Sequence, residues 1–179
     1  MLVTMPTELQ IALDALLSFR LAEWHGLPNS LVVDVEEILS ASNTATESRL
    51  GAYPALLQIF QAPEKAALGL QVFSRAGRVV AIETLEPPPL AAVAELGDPE
   101  ARLSPEVYAE GYSGSEHLYA KRGLAIAIGE ALDDNSQPRQ KVLRCRGIPI
   151  LAAAHEYGAQ YYRPLKFERL WQRCVDQGV

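Results

Sequence analysis

Gly69-Leu70-Gln71-Val72-Phe73-Ser74-Arg75-Ala76-Gly77-Arg78-Val79-Val80-Ala81-Ile82-Glu83 holds two runs of strand-forming residues separated by a turn. Val72, Phe73, Val79, Val80 and Ile82 are β-branched or aromatic side chains that pack well on a pleated surface. Between the runs, Ser74-Arg75-Ala76-Gly77 supplies a turn whose glycine accepts a positive φ. The stretch predicts a β-hairpin. Upstream, Leu56-Leu57-Gln58-Ile59-Phe60 predicts a further strand. Downstream, Glu86-Pro87-Pro88-Pro89 can continue neither a helix nor a central strand and marks a boundary.

The same pattern returns after the prolines. Gly123-Leu124-Ala125-Ile126-Ala127-Ile128-Gly129 matches Gly69–Phe73, and Lys141-Val142-Leu143-Arg144-Cys145-Arg146 matches Arg78–Glu83, across a polar loop from Glu130 to Arg139. Each hairpin follows an apolar periodicity of helical spacing, over Ser30–Leu39 in the first case and Leu90–Leu96 in the second. Ser40–Ser48 is polar and reads as a loop. Tyr108–Tyr112 and Glu116–Ala120 read as strands around a Ser113-Gly114 turn. The expected fold is α+β, with two weakly similar helix-plus-antiparallel-sheet halves over residues 31–89 and 90–150. Helices over residues 7–25 and 164–176 flank them, the first opened by a capping box at Thr7-Glu8-Leu9-Gln10. Ile150–Tyr157 adds a short helix ending at Gly158. All 179 residues are read as one globular unit.

Composition bounds the function. The chain has 179 residues, a formal net charge of −6, 49% hydrophobic and 21% charged residues, which is globular composition and not that of a disordered, collagen-like or coiled-coil protein. Cys145 and Cys174 form no CxxC or Cys/His spacing, which argues against a disulfide scaffold or a structural zinc site. The start, Met1-Leu2-Val3-Thr4-Met5-Pro6, lacks a basic segment and a long apolar run, and charged residues interrupt every apolar stretch. A cytoplasmic protein without a membrane partner is expected.

Residues able to carry chemistry are scattered. His25, His117 and His155 show no HxH or HxxxH spacing, so no metal site and no cofactor are expected. Cys145 is flanked by Arg144 and Arg146, but on a strand those side chains face away from it, and the reading is a buried apolar filler. Gly111-Tyr112-Ser113-Gly114-Ser115 fits no phosphate-loop or dinucleotide pattern. If the chain is a small enzyme, Glu116, His117 and Tyr119 form its nucleus.

Charge is unevenly distributed. Residues 1–135 hold 19 acids and 8 bases, a net −11, whereas residues 136–179 hold 3 acids and 8 bases, a net +5. Arg144 and Arg146 share one strand face and, with Tyr112, Tyr161, Tyr162 and Arg163, form a candidate partner-binding set. Two explanations stand: these arginines dock an acidic partner, or they neutralise the acids of the chain's own first part. Net −6 disfavours nucleic acid as the partner.

Val35-Glu36-Glu37-Ile38-Leu39 with Gly69-Leu70 and Gly77-Arg78-Val79-Val80, followed by Val93-Ala94-Glu95-Leu96-Gly97-Asp98-Pro99 with Gly123-Leu124, resembles the β-lactamase-inhibitor-protein-like architecture over residues 31–150. The resemblance implies a non-enzymatic helix-on-sheet module that grips another protein through an exposed sheet face and loops. Inhibitory members are secreted and disulfide-bonded, so inhibition of a β-lactamase is not implied here, and no binding residue transfers. In composition the chain is also similar to type III secretion chaperones, which bind polypeptide. The expectation is a non-enzymatic protein-binding module (inhibitor, immunity-type or chaperone-like factor), with a small enzyme as the alternative.

Overall fold

The computed structural model describes residues 4–63, 65–103, 114–132 and 134–162. The expected strand at 108–112, the helix at 164–176, Tyr112, Arg163 and Cys174 lie outside these residues, as does the side chain of Tyr162.

Helix α1 spans Glu8–Leu17 and opens as its sequence requires. The Thr7 hydroxyl accepts from the Gln10 amide at 3.1 Å, and the Gln10 side chain accepts from the Thr7 amide at 2.7 Å, which satisfies donors that a helix start leaves free. The helix does not run on to residue 25. Phe19 adopts φ 55°, and the amides of Phe19 and Arg20 turn back to Leu16 and Ala15, a Schellman closure made without glycine. A 3-10 turn at Leu21–Glu23 follows, then α2 at Val32–Glu36.

The strands are β1 Ser40–Ala41, β2 Thr46–Leu50, β3 Tyr53–Ala62, β4 Lys65–Arg75 and β5 Arg78–Thr84, then β6 Ala101–Leu103, β7 Gly114–Tyr119, β8 Leu124–Leu132 and β9 Pro138–Gly147. Helix α3, Leu90–Ala94, separates β5 from β6. The predicted loop at 40–48 instead contains β1 and the start of β2. Both are edge pieces with mainly exposed side chains, so they lack the apolar alternation that marks a half-buried strand. After β9, α4 begins at Ala154, later than expected, and continues through Gly158 as a π-helical turn to Tyr162.

All strands join one antiparallel sheet in the order β1-β3-β4-β5-β9-β8-β7-β6, with β2 also on β3. The fold is α+β. Two meanders, β3-β4-β5 and β9-β8-β7, meet where Ile82 pairs with Gly147 and Glu83 with Arg146. The β4–β5 turn has two central residues, Ala76 at φ 52° and Gly77 at φ 76°, the backbone of a type I′ hairpin. Each central hairpin carries a bulge: Val80 is the extra residue opposite Phe73 and Ser74, and Leu143 the extra residue opposite Ala127 and Ile128.

The sheet separates two apolar layers. On one face Leu9, Leu13 and Leu16 of α1 pack with Val72, Ile82 and Ile126. On the other, Leu151, Ala154, Tyr157 and Tyr161 pack with Phe73, Ala81, Leu118 and Ala125. Beyond Arg78 every residue of β5 is buried. The centre of the sheet therefore presents no open face, and the expected exposed sheet surface is absent there.

Candidate functional site

Each hairpin places a charged side chain on the face covered by α4 and its π-helical extension. Past the bulges, Glu83 and Arg146 alternate with Ile82 and Cys145, which point to the opposite layer. Arg146 donates from Nε to Glu83 Oε1 at 2.7 Å, with Nη2 at 2.6 Å from the same oxygen. Its Nη1 donates to the Tyr157 hydroxyl, which donates to Glu116 Oε1 at 3.0 Å. Arg144 lies between the carboxylates, 3.8 Å from Glu83 and 3.6 Å from Glu116. Burial and the neighbouring Arg146 oppose the Arg144 charge, but Glu116, Tyr157 and Glu83 outweigh them and raise its pKa above the ordinary value.

Among the described residues this group holds two carboxylates and two guanidiniums. Three members are nearly enclosed, the side chains of Glu116, Arg146 and Glu83 being 0%, 4% and 10% exposed, while Arg144 keeps 32% exposure. Charges so enclosed are tolerable only when paired and hydrogen-bonded. Together they tie α4 to the sheet. Tyr161 adds a hydroxyl donating to the Val80 carbonyl at 3.1 Å, and burial pushes its pKa up to about 12.

The expected residues therefore divide. Arg144 and Arg146 do share a face, but α4 closes it over Arg146 and leaves Arg144 part-exposed; Arg146 turns inward to Glu83 because an unpaired guanidinium under that segment would be prohibitively costly. Of the two explanations for the charge asymmetry, neutralisation of the chain's own acids describes Arg146. Tyr161 is likewise enclosed. Glu116 does not meet His117 or Tyr119: consecutive strand residues point to opposite faces, which puts Glu116 with the arginines and Tyr119 in the α1 layer. Tyr119 donates to the Gly97 carbonyl at 3.0 Å; burial raises its pKa, with Arg102 opposing and Asp98 adding to the shift. Cys145 is free and fully buried, its thiol pushed up to about 12 by burial and by Glu83. Among the described residues, no three His, Cys, Asp or Glu side chains converge to hold a metal, and no helix is long and apolar enough to cross a membrane.

An open concavity lies elsewhere. Leu27 donates its amide to the Ile148 carbonyl at 2.8 Å, which brings the loop after the 3-10 turn beside the segment leaving β9. Gly26, at φ 94°, lets that loop close: a β-carbon there would stand 2.5 Å from Ile150 Cγ1. Between this junction and α1 runs a groove of about 450 Å³, floored by Ala12, Leu27 and Pro28. Its walls are Ile11, 52% exposed, and Ile150, 57% exposed. Glu8 and Glu23 stand at its rim, Glu23 paired with Arg20 at 3.3 Å, and among the described residues the lining holds His25 but no Lys or Arg. A second, more polar cleft of about 330 Å³ shares His25 and Ile150 with it.

Sequence reasoning missed Glu83, Tyr157 and this groove. Glu83 carried a signal: it is the acid that closes the apolar run Val79–Ile82, at the place where the second hairpin has Arg146. Ile11 carried another, as an isoleucine outside the Leu9–Leu13–Leu16 stripe. The pairing of Tyr157 with residues 41 and 11 positions away carried none. Comparison of the chain with protein-family models, curated proteins and solved structures finds no match.

Proposed function

We propose that this chain is a polypeptide-binding module whose docking site is the groove between α1 and the Gly26–Pro28 loop. Its occupant is a segment of another protein that places an aliphatic side chain between Ile11 and Ile150, with Lys or Arg on either side. The observation that carries this reading is the composition of the groove: two half-exposed isoleucines over an apolar floor, rimmed by carboxylates. Large aliphatic side chains facing one another across a concave surface gain from being covered, by about 1.5–3 kcal/mol for each one fully buried. Glu8 at the rim disfavours an acidic occupant, Glu23 less so because Arg20 pairs with it at 3.3 Å, and the net −11 of residues 1–135 steers a basic one. The resemblance to β-lactamase-inhibitor-like proteins agrees in kind. The palindromic strand order and matched bulges support the further reading that the chain is a doubled helix-plus-sheet unit, in which the two halves supply the walls of one platform.

A peptide array tests the reading directly. Peptides with a central Leu or Ile flanked by Lys or Arg are expected to bind, and their Asp/Glu-flanked counterparts are not. Ile150→Asp should weaken capture about tenfold or more, the equivalent of about 1.4 kcal/mol, and Glu8→Lys with Glu23→Lys should reverse the charge preference. Equal binding of both peptide classes, or binding untouched by Ile150→Asp, overturns it.

A further inference from the structure

We propose that Ser115 and His117 form a nucleophile–base pair that accepts the acyl group of a small ester. The two residues are separated by one position on β7, so they share a face. Ser115 Oγ stands 3.1 Å from His117 Nε2, the reach that proton transfer between a hydroxyl and its base requires. Both side chains are half-buried and line a cleft of about 290 Å³ with Ile128, Glu130 and Gln140. This cleft shares no residue with the groove proposed for docking, so either reading can fail without the other.

The base is in the correct state for the task. Arg102 is the direct partner of His117 across β6 and β7. Partial burial, and then the positive charge of Arg102, hold the imidazole below the ordinary histidine pKa and keep it neutral at pH 7. The reaction uses the tautomer with the ring proton on Nδ1, in which Nε2 accepts from the serine. Ser115 Oγ attacks the ester carbonyl carbon as its proton passes to Nε2. The Oγ–C bond forms, the ester C–O bond breaks, and the alcohol leaves with that proton. Water then attacks the acyl-serine, again giving its proton to Nε2, and releases the carboxylic acid as Ser115 recovers its hydrogen.

A fluorophosphonate probe and p-nitrophenyl acetate test the pair on the full chain. The serine displaces fluoride from phosphorus by the same proton transfer, so the folded protein should gain one adduct that peptide mass mapping assigns to Ser115. Labelling and ester hydrolysis should rise with pH along a single ionisation below the ordinary histidine value. Ser115→Ala should abolish the adduct, and His117→Gln or His117→Asn should slow it about 100-fold or more. The unmutated pH profile serves if neither histidine variant folds. The proposal is overturned by an unlabelled folded protein, by an adduct on another residue, or by a profile without that ionisation. It is overturned equally by undiminished labelling in a folded histidine variant.

Discussion

Glu83 and Arg146 are Cα partners across β5 and β9, and their side chains meet with Arg146 Nε 2.7 Å from Glu83 Oε1. Each is the third residue beyond the extra residue of its hairpin, Val80 for one and Leu143 for the other. The pair therefore sits where the two meanders meet, an acid from one and a base from the other. Enclosed charges of this kind are far costlier alone than together. Glu83→Gln is expected to destabilise the fold by about 3–5 kcal/mol. Glu83→Met with Arg146→Met should cost less than Glu83→Gln, because Arg144 and Glu116 still balance one another. Urea denaturation of the two variants checks this ordering.

Tyr157 and Tyr161 both anchor the segment after β9, but with unlike partners. The Tyr157 hydroxyl bridges a guanidinium and a carboxylate, whereas that of Tyr161 meets a backbone carbonyl. Hydrogen bonds to charged groups contribute about 1.5–3 kcal/mol and neutral ones about 0.5–1.5 kcal/mol. Tyr157→Phe should therefore lower stability more than Tyr161→Phe, a difference measurable by thermal unfolding of otherwise identical proteins.

The β4–β5 turn isolates a backbone effect. A β-carbon at Gly77 would meet nothing within 4 Å, so Gly77→Ala changes only the cost of a positive φ. A loss of about 1–2 kcal/mol is expected. Ala76→Asn, which tolerates the same backbone region better, should recover part of the strain already present at Ala76. Denaturant midpoints of the two variants should move in opposite directions.

Cys145 should resist modification. Its thiol is enclosed and raised to about 12, so almost no thiolate exists at pH 8. Alkylation with iodoacetamide, mapped by mass spectrometry, is expected to reach Cys145 only at the rate of global unfolding and to become complete in denaturant. Prompt labelling of the native protein at this position would contradict the enclosed site.

His117 sets an acid-side dependence of stability. Its folded pKa lies below the unfolded value, so between the two the unfolded chain binds more protons. Stability then rises with pH in that window, and is lost as pH falls through the ordinary histidine range toward the folded pKa. Thermal midpoints measured from pH 4 to 8 should show this slope flattened in His117→Gln relative to the parent protein.

The hairpins were legible in the sequence because their cause is local: alternating apolar side chains and a glycine turn. The capping box at Thr7 was legible for the same reason. The end of α1 was not, since Phe19 takes a backbone region usually left to glycine. Edge strand β2 was hidden because Thr46, Glu47 and Arg49 face solvent. Arg144 and Arg146 were visible as a shared face, but whether that face meets water depends on where α4 lies, a tertiary fact. Ser115 and His117 could have been noticed from their alternate spacing on an expected strand; their 3.1 Å contact depends on rotamers that no pattern encodes.

The polar contacts under α4 have a consequence for where that segment can rest. Leu151 and Ala154 alone would adhere to the sheet at any of several offsets, since one greasy surface slides on another at little cost. The hydroxyls of Tyr157 and Tyr161, four residues apart, must meet the Arg146–Glu116 pair and the Val80 carbonyl at the same time. A shift by a single position strands a buried hydroxyl at each place, at about 1–3 kcal/mol apiece. The segment thus has an address on the sheet and not merely an affinity for it.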